Sequence, residues 1–84
     1  MKTKTISVVV PCFNEEENVE PMAQAIREVF ARDLPDYGYE LIFIDNDSSD
    51  QTRKIIRRLC EEDRNIKGIF NAKNKITVRR KSII

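Results

Sequence analysis

Apolar and polar positions alternate between two periods along this chain. Thr5–Val10 is a short β-branched, apolar run that meets Pro11, and it reads as a buried strand stopped where no backbone amide remains to donate. Beyond it lie Asn14 and three glutamates. Val19, Met22, Ala23, Ile26, Val29 and Phe30 then recur every three to four residues, the spacing of a helix with one buried stripe. Asn14 with Glu17 three positions later resembles a capping box, and Pro21 fits only within the first turn. Pro35 and Gly38 put the end of this helix near Asp33.

Glu40–Asp45 follows as a second strand, apolar at successive positions, the pattern of a strand covered by helices on both faces. The polar turn from Asn46 to Asp50 leads into a second helical stripe at Thr52, Ile55, Ile56, Leu59 and Cys60. Residues 63–65 form a turn, and Ile66–Phe70 is a third strand. The order β-α-β-α-β with right-handed crossovers predicts an α/β fold with a three-stranded parallel sheet, strand order 3-2-1. Residues 75–84 fit neither period and read as an irregular tail set apart from residues 1–74.

Composition narrows the function classes. The chain has 84 residues, 40% apolar and 35% charged, enough for one small soluble domain. No apolar run approaches the roughly 18 residues that span a bilayer. The lysine-bearing start has too short an apolar stretch, Ile6–Val10, for a secretory signal, so a cytoplasmic location is expected. With no histidine and two cysteines, Cys12 and Cys60, there is no Cys/His zinc site and no Cys–His nucleophile pair; both thiols are expected reduced. The net charge of +1 conceals an asymmetry: residues 1–63 carry 8 basic and 14 acidic side chains, residues 64–84 carry 7 basic and none acidic. The basic run 73–81 reads as a solvated tail, with docking on anionic lipid or nucleic acid as an alternative.

Ligands of open parallel sheets bind at the carboxyl ends of the strands. Those ends carry Pro11–Glu15 and Asp45–Asp50, which therefore share one edge. Neither is glycine-rich, so a P-loop and a dinucleotide fingerprint are excluded. Strand-end packing, helix capping and turn formation would each account for these residues without any ligand. The acidic, amide-bearing edge also suits a base and ribose, or a metal.

Ile6–Asn18, reading ISVVVPCFNEEEN, resembles the opening strand and turn of family 2 inverting glycosyltransferases, usually VVxPxYNEExN. Tyr39–Thr52, reading YELIFIDNDSSDQT, is similar to their second strand and turn, usually YEIIxVDDGSxDxT. The resemblance covers roughly residues 5–74 and is strongest to the branch acting on polyprenyl phosphates, dolichol-phosphate mannose synthase-like. It implies the first half of a GT-A, Rossmann-like, nucleotide-sugar-binding domain. It further implies a UDP- or GDP-hexose donor, a lipid-phosphate or glycan acceptor of cell-envelope synthesis, Mg²⁺ or Mn²⁺, and work at the cytoplasmic face of a membrane; no nucleic acid partner is implied. Carried over by position, Pro11, Phe13, Glu15, Ile44, Asp45 and Asn46 would line the nucleotide pocket, with Phe13 in place of a tyrosine. Asn46 replaces an aspartate that contacts the base, and its amide could meet a uracil N–H and carbonyl together. Asp47 stands where glycine is usual. The later Asp-x-Asp and the catalytic base have no counterpart, since no acid follows Asp63, and residues 75–84 leave the family pattern. The chain is therefore expected to be truncated and inactive alone. A small non-catalytic module and a non-functional remnant are the alternatives.

Overall fold

The computed structural model describes residues 4–72. Five elements occur in the expected order: β1 (Lys4–Cys12), α1 (Val19–Asp33), β2 (Tyr37–Asn46), α2 (Thr52–Glu62) and β3 (Ile66–Asn71). The sheet is parallel throughout, with β2 central and the order β1-β2-β3. The basic run 73–81 and the expected boundary at residue 75 lie outside the described residues.

β2 begins at Tyr37 rather than Glu40, and two further boundaries differ from expectation, each for a local reason. β1 does not stop at Pro11 but pairs Pro11 with Ile44 and Cys12 with Asp45. It is an edge strand, so a proline whose ring replaces the amide is tolerated where that position faces away from the partner. Nor does Asn14 open α1. The helix starts at Val19, its cap residue Asn18 makes no side-chain capping bond, and Asn14 sits in a left-handed conformation at φ 51°. The capping-box pattern is real in sequence, but the side chains of Asn14 and Glu16 bond to another loop instead. Pro21 is the third helical residue, where no amide is needed.

The core lies on one side of the sheet. Ala23 and Val19 of α1, Ile56 and Leu59 of α2, and Leu41, Phe43, Cys12 and Ile66 of the strands form one buried cluster. Crossovers of one hand that step across the sheet in one direction put both helices on the same face. β2 was expected to be covered on both faces; among the described residues only one is covered. Leu41, Phe43 and Asp45 turn to the helices and are buried, while Ile42, Ile44 and Asn46 alternate to the other face and stay half-exposed. On that open face Val9 is 54% exposed and Ile69 48%.

The amino end of the sheet is tied by Asp63. It accepts a hydrogen bond from the Tyr39 hydroxyl at 2.6 Å and lies 3.2 Å from Arg27 Nε of α1. Burial pushes its carboxyl up, but bonds from Tyr39 and the Asn65 amide and the charge of Arg27 outweigh that and hold it below the ordinary value. Phe30 and Tyr39 pack nearby with ring centroids 5.3 Å apart.

Candidate functional site

At the carboxyl edge, two loops separated by more than 30 residues are laced together. The Asn14 amide donates to Ser48 Oγ at 2.9 Å and the Glu15 amide to Thr52 Oγ1 at 2.8 Å. In return the Ser49 amide donates to Asn14 Oδ1 at 2.8 Å and the Gln51 amide to Glu16 Oε1 at 2.9 Å. Asp50 accepts from the Glu16 amide at 3.3 Å, from the Thr52 amide at 2.9 Å and from the Thr52 hydroxyl. Desolvation raises the Asp50 carboxyl, yet these donors together hold it below its ordinary value. Backbone amides that a loop would otherwise leave to water are thus satisfied by side chains of the other loop. The residue types of both motifs follow from this lacing.

Asp45 is fully buried on the helix side. Its carboxylate accepts from the Ser48 amide at 3.1 Å and from the Ser48 hydroxyl, and lies 3.3 Å from Arg53 Nε on α2. A buried charge needs such partners to persist. Asp45 and Ser48 therefore pin the turn in which Asp47 adopts φ 62°. The guanidinium groups of Arg53 and Arg57 lie 5.2 and 4.6 Å from the Phe70 ring centroid.

The six residues expected to line the pocket gather at this edge but divide between its faces. Pro11 and Ile44 pair in register, and Asn46 ends the same open face as Ile44. Phe13, 60% exposed, projects just past the end of β1. Glu15 lies in the loop, its Oε1 accepting from Asn18 Nδ2 at 2.8 Å. Asp45 faces inward. Pro11 and Glu15 also border a cavity of about 430 Å³ beneath the start of α1, with Val10, Cys12, Met22 and Phe43. Burial, then the charges of Asp45 and Glu15, raise the Cys12 thiol, which keeps it protonated and unsuited to nucleophilic work.

The local sequence pattern gives Asn14 as a cap, Ser48 and Asp50 as turn residues and Thr52 as part of a helical stripe, and it misses their bonds across the loops. It also missed Asn71, whose Nδ2 donates to Asn46 Oδ1 at 3.0 Å. The available signal was register: β2 and β3 both end on asparagine, and the two pair.

A parallel α/β sheet with paired polar loops at its carboxyl edge defines an open α/β protein with its ligand-accepting edge formed. The profile described as Glycosyl transferase family 2 matches residues 7–81, and the chain belongs to that family. It is similar to the bactoprenol glucosyl transferase of Shigella phage SfV, 41% identical over 58 residues, 69% of this chain and 18% of that protein. It is also similar to the human dolichyl-phosphate beta-glucosyltransferase, 38% identical over 63 residues, 71% of this chain and 19% of that protein. A third relative is the dolichyl N-acetyl-alpha-D-glucosaminyl phosphate 3-beta-D-2,3-diacetamido-2,3-dideoxy-beta-D-glucuronosyltransferase of Methanococcus voltae, 33% identical over 72 residues, 83% of this chain and 22% of that protein. The chain thus spans about a fifth of the curated relatives it matches. No solved structure matches it.

Among the described residues no group of three or more His, Cys, Asp or Glu side chains could hold a metal ion. Nor, among them, is any helix long and apolar enough to cross a membrane.

Proposed function

We propose that residues 1–74 form the nucleotide-binding part of a glycosyltransferase that moves a hexose from a UDP- or GDP-sugar to a polyprenyl phosphate at the cytoplasmic face of a membrane. The names of the relatives, which act on bactoprenol and dolichyl phosphate, support the acceptor class. The observation that carries the nucleotide reading is the lacing of the two loops, which holds Phe13, Glu15 and Asn46 at one preformed edge.

Each residue has a distinct part in this reading. Phe13 offers an exposed aromatic face to a base, and Pro11 and Ile44 give the apolar floor beside it. Asn46 meets the base edge. Glu15 accepts from ribose hydroxyls, while Asp45 acts through the turn it pins, because its oxygens already serve Ser48 and Arg53. For the divalent metal that the family resemblance implies, Mg²⁺ or Mn²⁺, the described residues offer no cluster of three or more acids. Accordingly, only nucleotide binding is assigned to them, and no step on the sugar.

Titration of the isotope-labelled 84-residue chain with UDP and with GDP tests the reading. The amide resonances of Phe13, Glu15 and Asn46 should move together and saturate. A folded chain in which none of them moves at high nucleotide would refute it.

A further inference from the structure

Asn46 and Asn71 end adjacent strands in register, and both are half-buried. Asn71 Nδ2 donates to Asn46 Oδ1 at 3.0 Å. A carboxamide has one acceptor atom and one donor atom, whereas a carboxylate has acceptors only. With Oδ1 drawn toward Asn71, the end of the Asn46 carboxamide turned away from that strand is Nδ2, a donor. The turn after Asn46 is fixed by Asp47 at φ 62° and by the Asp45–Ser48 bonds, so the side chain projects from a rigid backbone. Asn71 holds its orientation from the other side.

Building on the nucleotide reading above, we propose that Asn71 is a positioning residue for base recognition. It turns the Asn46 carboxamide so that Nδ2 faces the nucleotide, and the site reads an acceptor atom of the base, such as a carbonyl oxygen, rather than a ring N–H. Uracil and guanine both carry such carbonyls, so both donors remain admissible. What changes is the atom recognised. An aspartate at position 46 could pair only with a donor of the base, such as a ring N–H; the Asn46–Asn71 couple inverts that demand. The two asparagines are therefore one device split between β2 and β3.

The probes are UDP and 3-methyluridine 5′-diphosphate, in which a methyl group replaces the ring N–H and both carbonyls remain. The full 84-residue chain should bind the two within about threefold of each other. Asn71→Asp is nearly isosteric but has no donor to give. It accepts from Asn46 Nδ2, turns Asn46 Oδ1 toward the nucleotide and should favour UDP by about tenfold. Asn46→Asp should shift preference the same way. A purely structural role for Asn71 would weaken both ligands equally and leave their ratio fixed. An unchanged ratio in Asn71→Asp, or an original chain that already rejects the methylated ligand tenfold, would overturn the inference while leaving nucleotide binding intact. If the folded chain binds neither nucleotide, the site reading itself fails and this inference falls with it.

Discussion

Asp47 carries the most demanding backbone conformation of the two loops. At φ 62° it occupies the left-handed region, which costs an ordinary side chain roughly 1–2 kcal/mol and glycine almost nothing. Asparagine and aspartate enter this region more readily than other non-glycine residues, and Asn14 at φ 51° is the companion case. The family pattern, with glycine at the position of Asp47, made this strain legible in the sequence. Asp47→Gly should leave stability unchanged or raise it by up to about 1 kcal/mol, while Asp47→Val should lower it by about 1–2 kcal/mol. Denaturant midpoints of the two variants against the original chain check both signs. At the same scale, the inward turn of Asp45 was not legible. Period-two alternation assigns it the same face as Leu41 and Phe43, but it is the Ser48 amide and hydroxyl together with Arg53 that make a charge tolerable there.

The elements themselves were readable because each has a strong local signal. Ile66, Gly68 and Phe70 share the helix-facing side of β3, and Gly68 exists for the sake of α2. A Cβ there would meet Ile56 Cγ2 at 2.8 Å and the Phe70 ring at 3.0 Å. Gly68→Ala should therefore force α2 outward and cost about 1–3 kcal/mol, seen as a lower thermal midpoint. Ile56→Val in the Gly68→Ala background should recover none of the loss, since valine keeps the Cγ2 branch that obstructs and sheds only Cδ1. Where the element reading failed, at the start of α1, the cause was competition. Asn14 and Glu16 have the right chemistry to cap a helix, yet they satisfy Ser49 and Gln51 across the edge. A local pattern cannot reveal a bond whose other end lies 35 residues away.

For the molecule as a whole, the apolar run of β2 reads as a strand covered on both faces, yet among the described residues only one face is covered. The two crossovers both run to one side, and the other face is left with Val9, Ile42, Ile44 and Ile69. Global stability should also respond to acid in a defined sense. Asp50 and Asp63 both titrate below the ordinary carboxylate value of 3.8 in the folded chain. A depressed carboxyl contributes stability above its unfolded value and loses it as pH falls through the folded one. The unfolding midpoint should thus hold steady down to about pH 4 and fall below it. Asp63→Asn should flatten part of that fall, a comparison that follows directly from thermal melts across the acid range.

The lacing of the two loops has a consequence for how the chain acquires its edge. Its bonds join residues 34 to 37 positions apart, so none can form until β1, β2 and the start of α2 have come together. Closing a loop of that length has an entropic cost that local structure cannot offset in advance. The carboxyl edge is therefore complete only in the assembled tertiary structure, and loosening of α2 opens it. On the proposed reading, nucleotide affinity would be a gauge of tertiary assembly, because a bound nucleotide would tighten the whole sheet by mass action. A perturbation deep in the core, such as one at Ile56, would reach the ligand without ever touching it.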